Sequence, residues 1–229
     1  MPGTDSGRVG GVEEVTSDAM IPDDADLASR SHYKRVYDWV ILGSAHFFPL
    51  LIPVWLILWV VIPVLIWLED HGPVFYGQER IGKDGKIFRV LKFRTMVPNA
   101  EAMTGAVWAV ENDPRITKVG RWLRASALDE LPQILNILKG DMSFVGPRAE
   151  RPELHEQFVA REPLFAQRIR VRPGLTGLAQ VNGSYDLPPE EKVRYDLEYM
   201  WTMSPWVDTR LMLASVVNTL MRRWDRKDH

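Results

Sequence analysis

Cysteine is absent from the 229 residues. Disulfides, thiolate nucleophiles and Cys-based zinc or iron–sulfur sites are therefore excluded. The five histidines, at 32, 46, 71, 155 and 229, are scattered and show no metal-ligand spacing. Neither G-x-x-x-x-G-K-S/T nor G-x-G-x-x-G occurs, so the usual P-loop and Rossmann signatures are missing. A strong charge of one sign is also lacking: 28 Lys+Arg stand against 30 Asp+Glu. That balance gives no footprint for nucleic acid, and no nucleic-acid partner is expected. What is present, at 46% hydrophobic residues, suffices for a packed core.

The charge balance hides an asymmetry. Residues 1–31 hold seven acids and two bases, leaving 26 bases and 23 acids for the remainder. Gly, Asp, Ser and Glu dominate this stretch, which reads as an acidic, disordered tail. It lacks the positive–apolar–small order of a signal peptide.

No charge falls between Asp38 and Glu69. A run of this length reads as membrane-embedded, and 32–71 is assigned to a membrane unit. Thirty residues in one straight helix would reach about 45 Å, beyond a hydrocarbon core of about 30 Å. Pro49, Pro53 and Pro63 each remove a backbone donor. A bend at Pro53, with Pro49 as the neighbouring candidate, gives two arms of roughly 14–15 residues, too short to cross. Lys34 and Arg35 before the run and six cations between Arg80 and Arg94 after it put both ends on the cytoplasmic side. The expectation is a re-entrant hairpin. Trp39, Trp55, Trp59 and Trp67 suit its headgroup-level ends.

Residues 72–229 form the remaining unit, expected to be membrane-associated. Asp84-Gly85, between VFYGQERIG and KIFRVLKF, is a β-hairpin turn signal. Pro132 and Gly140 bracket a helix, and Ser204-Pro205 opens a last one. The apolar stripe of that last helix, Val207, Leu211, Ala214, Val217 and Leu220, suits a lipid interface, a second copy in a homodimer, or its own domain. The fold class is α+β, mostly helical, with a small antiparallel sheet around 74–94.

Four segments could carry chemistry. Asp129-Glu130 sits between leucines just ahead of a Pro-started helix. Two carboxylates there can bind a cation or attack a phosphate held at the helix start; ordinary first-turn acids would look the same. Lys92 and Arg94 alternate as on a strand, so both could face one ligand. Arg148 follows a Gly-Pro turn and is a candidate phosphate clamp. Residues 170–183 combine Arg172, Gln180 and glycines that permit close backbone approach to a ligand or simply turn the chain.

Taken in order, KRVYD, GPVFYGQERIG, FRVLKFRTM, LDELPQILNILKGDMSFVGPR, VRPGLTGLAQVNG and RYDLEYM resemble the monotopic phosphoglycosyl transferases, the bacterial sugar transferase family. The resemblance covers roughly residues 33–221. It implies transfer of a sugar-1-phosphate from a UDP-sugar to undecaprenyl phosphate by a ping-pong route, at the cytoplasmic face of a bacterial inner membrane. Asp129 matches the family's nucleophile and Glu130 the residue that binds Mg²⁺. Lys92, Arg124, Arg148 and Asp196 match polar positions associated with activity. Residues 148–153, RAERPE, resemble hexose-transferring members, which points to glucose or galactose. The family usually bends its membrane helix at a small-residue–Pro pair; Ile52-Pro53 and Phe48-Pro49 depart from that. A scaffold that keeps the fold without catalysis and a metal-dependent phosphohydrolase are the competing classes. The intact acidic pair and its cations count against the scaffold.

Overall fold

The computed structural model describes residues 21–48, 51–100, 113–183 and 187–221. Helices dominate it. The first, α1 (Asp24–Ser31), lies inside the stretch that composition assigns to a tail, and corrects that boundary. Asp23 caps it by accepting from the Asp26 amide, and its only large apolar residue, Leu27, is buried in the main core. Arg30 donates to the Trp201 carbonyl and Arg170 pairs with Asp24. A sequence too polar to fold alone is held by contacts far along the chain.

Two helices carry the apolar run: α2 (Lys34–Phe47) and a continuous α3 (Ile52–Asp70). The break falls at Phe48, whose ψ of 115° leaves the helical region. A residue before proline is pushed to extended backbone; Pro49 itself lies outside the described residues. Pro53 is therefore not the bend. It occupies the first turn of α3, where its missing N–H has no partner to lose. Pro63 leaves α3 unbroken because residues 57–61 widen into a π-turn, and the Ile62 amide reaches back to the Ile57 carbonyl. The arms are unequal, at 14 and 19 residues, or about 21 and 28 Å. At the break, Trp55 donates to the Ala45 carbonyl and stacks on His46.

Both outer ends are tied to the same body. Lys34 donates to the Val145 carbonyl and Asp208, and Arg35 to the Ile137 carbonyl. Asp38 accepts from Ser143 and the Phe144 amide. At the far end of α3, Asp70 grips Arg94 and Glu69 accepts from the Lys118 and Val119 amides. Between those anchors much of the apolar surface is exposed, including Val40, Leu56, Ile57 and Leu68.

The body begins with the expected hairpin, β1 (Phe75–Ile81) against β2 (Ile87–Phe93), in register Tyr76↔Lys92 and Ile81↔Ile87. Asp84 and Gly85 both have positive φ, which explains that pair of residues. A second pair, β3 (Ser143–Val145) and β4 (Gly174–Thr176), is parallel and was not anticipated. Between the sheets lie α4 (Lys118–Ala125) and α5 (Gln133–Lys139), the latter closed by left-handed Gly140. After β3 come α6 (Pro152–Arg161), a 3₁₀ stretch at 163–170, α7 (Leu178–Asn182), α8 (Pro189–Thr202) and α9 (Pro205–Leu220). Leu197, Tyr199 and Met200 of α8 centre the main core. In α9, Leu211 is buried and Val207 packs on that core, whereas Trp206, Leu213, Val217 and Leu220 are exposed. The apolar stripe thus divides into two faces.

Candidate active site

The acidic pair stands on a strained reversal. Helix α4 ends at Ala125, and Ala127 then enters the left-handed region at φ 55°. For a residue with a Cβ that conformation costs on the order of 1–3 kcal/mol. It throws residues 128–130 into a single 3₁₀ turn ahead of α5. Leu128 and Leu131 drop onto the cluster of Ile62, Ile66, Phe93 and Leu123 beneath, fixing the carboxylates between them. The amides of Glu130 and Leu131 are spent on the Ala127 and Leu128 carbonyls. Any anion beside this pair must therefore rely on side-chain cations rather than on those amides.

Those cations arrive from three elements. Lys92, on β2 between buried Val90 and Phe93, places its Nζ 2.5 Å from Glu130 Oε1 and 3.9 Å from Asp129 Oδ2. Arg148 reaches Glu130 Oε1 at 3.3 Å. Arg124, in the last turn of α4, is held by Thr95 at 2.9 Å and acts electrostatically on Asp129. The two acids respond differently. Burial pushes the Asp129 carboxyl up, with Lys92 opposing and Glu130 reinforcing the rise. Burial acts the same way on Glu130, but Lys92 and Arg148 outweigh it and hold that carboxyl at about 2.

Arg148 is aimed by glycines, which resolves the choice left open for 170–183. The Gly146 amide donates to the Thr176 carbonyl and the Gly174 amide to the Pro147 carbonyl. A Cβ at Gly174 would lie 2.1 Å from the Gly146 nitrogen, and one at Gly177 would lie 2.3 Å from the Gly146 oxygen. These glycines let two backbone segments touch, and the contact sets where Arg148 leaves the chain.

Lys92, Arg124, Asp129, Glu130 and Arg148 are thus brought together. Four other expected residues are not. Arg94 follows the end of β2 and turns to Asp70 and the Met96 carbonyl. Arg172 donates to the Gly140 carbonyl. Gln180 donates to the Leu175 carbonyl, and its own oxygen is buried without a hydrogen-bond partner among the described residues. Asp196 is buried against Arg168 at 2.8 Å, in a network with Glu150 and Lys192. Sequence reasoning missed Arg80. Its guanidinium donates to the Ala149 carbonyl and to Gln78 and feels the charges of Arg148 and Glu130. Burial first, and Arg148 second, lower it to about 10. Strand alternation held the signal: Tyr76, Gln78 and Arg80 share the face of Lys92 once Asp84-Gly85 fixes the register.

Among the described residues no group of three or more His, Asp or Glu gathers to hold a metal. Two adjacent carboxylates, one strongly ionised, still suit a magnesium ion brought by a diphosphate. Such ions take one or two protein carboxylates and complete their shell with phosphate and water.

A family model described as bacterial sugar transferase matches residues 29–222. A UDP-glucose:undecaprenyl-phosphate glucose-1-phosphate transferase of Caulobacter vibrioides is 40% identical over 195 residues, 82% of this chain and 69% of that protein. A UDP-N-acetylgalactosamine-undecaprenyl-phosphate N-acetylgalactosaminephosphotransferase of Aeromonas hydrophila is 41% identical over 156 residues, 67% of this chain. A UDP-galactose-lipid carrier transferase of Erwinia amylovora is 34% identical over 203 residues, 82% of this chain. The chain spans only 37% of the Aeromonas protein and 40% of the Erwinia protein.

Proposed function

This chain belongs to the bacterial sugar transferase family, and from that membership we propose that it transfers a sugar-1-phosphate from a UDP-sugar to undecaprenyl phosphate, releasing UMP. The observation that carries the reading is the convergence of Lys92, Arg124 and Arg148 on Asp129-Glu130. A diphosphate needs those cations, and a phosphoryl acceptor needs that carboxylate. The relatives named above act on glucose, N-acetylgalactosamine and galactose; for this chain residues 148–153 favour glucose or galactose.

The reaction runs in two displacements. An Asp129 oxygen bonds to the β-phosphorus while that phosphorus parts from its bridging oxygen, and UMP leaves with the electron pair. The sugar phosphate is then carried on Asp129. A phosphate oxygen of the lipid attacks the same phosphorus, and the carboxylate is regenerated. No proton transfer is required to activate an ionised carboxylate, and a carboxyl raised by burial is the more basic nucleophile. Lys92 and Arg148 offset the repulsion between diphosphate and acids. Glu130, with Asp129 beside it, would hold Mg²⁺, which supplies charge neutralisation on the phosphate oxygens.

The membrane placement follows the same logic. A 19-residue apolar helix is long enough to cross a bilayer by itself. A crossing would put the outer ends of α2 and α3 on opposite sides, yet both are tied to one body. That supports a hairpin dipping into the cytoplasmic leaflet, with the exposed face of α9 at the interface. The site would then sit at the height of the lipid phosphate, where the acceptor is concentrated.

The test is UMP release by detergent- or nanodisc-held protein with Mg²⁺ and undecaprenyl phosphate, across a panel of UDP-sugars. Release should need the lipid beyond one turnover, and ³²P from β-labelled donor should stay on wild-type protein but not on Asp129→Asn. Full-rate phosphate release without lipid would favour the phosphohydrolase. Silence across the panel would favour the scaffold.

A further inference from the structure

A second gathering of cations lies away from Asp129. Val171 is buried with extended backbone, and Arg170 and Arg172 flank it in the chain. Lys83 stands in the hairpin turn, which packs near Ile169. All three line a shallow cleft whose wall also includes Ser31, Lys34, Val171 and Tyr199. No carboxylate lines it.

The charges there are unevenly compensated. Lys34 is satisfied from behind by Asp208, Tyr199 and the Val145 carbonyl. Arg170 reaches Asp24, but Asp24 is 94% exposed, and such a pair contributes little. Arg172 has a carbonyl partner and no ion pair among the described residues. Lys83 makes no side-chain bond among them. The charge of Arg172 is felt at Lys34. Cations converging on a concave surface repel one another and focus a positive potential into it. A tetrahedral anion with several acceptor oxygens would relieve that repulsion.

This cleft is separate from the acidic pair. Lys92 pairs with Tyr76 at one end of the hairpin, and Lys83 stands in the turn at the other. Five residues from Ile87 to Lys92 span about 17 Å. The cleft does adjoin the foot of α2: Lys34 opens that helix, and Trp39 starts its apolar run five residues on, about 7.5 Å away. In the membrane placement proposed above, that is headgroup depth.

We infer that this cleft binds the phosphate of an anionic lipid headgroup and so seats the body against a charged membrane surface. Its phosphate chemistry stands apart from the proposed reaction; only the lipid source rests on the membrane placement. The experiment titrates short-chain phosphatidylglycerol, and separately inorganic phosphate, into the detergent-held full chain and follows Tm. Wild-type Tm should rise saturably with the lipid, and Lys83→Gln should weaken its apparent affinity about tenfold. Lys83 is exposed, so that variant keeps its fold, and Lys83→Arg should restore binding. Arg172→Gln should weaken binding at least as much. Inorganic phosphate acting as strongly as the lipid would overturn the headgroup assignment and leave a soluble-phosphate site. No saturable rise, or equal rises in wild type and Lys83→Gln, would overturn the site itself. Stabilisation by Mg²⁺ with UDP, measured alongside, should be the same in Lys83→Gln as in wild type. Its absence from every protein would count against the transferase reading without touching the cleft.

Discussion

Two clusters of acids and bases lie on either side of Ala149. In one, Arg168 and Lys192 meet Glu150 and Asp196, and Glu150, Arg168 and Asp196 are each no more than 5% exposed. In the other, Lys92 and Arg148 meet Asp129 and Glu130, with side chains 13–35% exposed. The residue types are the same. The buried cluster lies between α6, α8 and the 3₁₀ stretch, where its groups are fixed by one another. The half-open cluster crowds two acids onto adjacent positions and leaves Asp129 with its nearest cation among the described residues at 3.9 Å. An incompletely answered carboxylate in a half-open site is poor architecture and good chemistry. Charge alone does not separate a site from a strut; the degree to which each charge is already answered does.

Asp129→Asn breaks the comparison most directly. Lipid-dependent UMP release should fall by roughly 10³-fold or more, as expected when a nucleophile is removed. Stability should move the other way. The Asp129 carboxyl is raised in the folded protein, so its favourable contribution belongs to the protonated form, below the unfolded value, and is lost as pH rises through the folded one. At neutral pH the charge is a burden that Asn removes, by about 1 kcal/mol, or roughly 2–4 °C in Tm. Thermal unfolding and turnover measured on one preparation decide it; a falling Tm would place Asp129 among the struts.

Arg168→Met should show the reverse signature. It leaves Glu150 and Asp196 buried without their shared cation, which costs about 3–5 kcal/mol and should lower Tm by on the order of 10 °C. UMP release per folded molecule should fall less than tenfold. A loss of turnover as deep as that of Asp129→Asn, at unchanged Tm, would move Asp196 and its partners back to the site that the family resemblance assigns them.

A finer test is the acid limb of the rate profile. Glu130, at about 2, stays ionised throughout the working range, so a single carboxyl should set the limb. Because burial raises Asp129, the rate should decline at a pH above the ordinary aspartate value of about 3.9. Lys92 is the strongest influence opposing that rise, so Lys92→Met should move the limb further up as well as slow the reaction. A limb that stays in place in Lys92→Met would mean that Lys92 serves Glu130 alone.

Legibility followed locality. The hairpin turn, the Pro132–Gly140 helix and the Ser204 cap were readable because each depends on backbone preferences of adjacent residues. Among site residues the acidic pair, Lys92, Arg124 and Arg148 were readable from motif order, and the structure gathers them. What escaped was non-local. Helix α1 needs Leu27 in a core built from residues beyond 140. The parallel β3–β4 pair joins segments about thirty residues apart. Arg94 obeyed strand alternation until the strand ended at Phe93 and Asp70 captured it. The bend moved from Pro53 to Phe48 because a proline in the first turn of a helix costs little, whereas the residue before Pro49, with no π-turn to accommodate the ring as before Pro63, leaves the disfavoured helical region.

The smallest expected effect comes from a position in neither cluster, and it calibrates both. Ser204 opens α9, and its hydroxyl accepts from the Val207 amide at 3.2 Å. Its carbonyl accepts from the Asp208 amide, so the cap also steadies the carboxylate that Lys34 and Tyr199 share. Ser204→Ala should cost about 1 kcal/mol, the usual loss for an N-cap, and should lower Tm by roughly 2–4 °C. Turnover per folded molecule and the acid limb should both stay as in wild type. If Ser204→Ala destabilises by as much as Arg168→Met, the buried ion network is worth no more than one hydrogen bond. Its full burial would then reflect packing of α8 on the 3₁₀ stretch rather than the strength of its ion pairs.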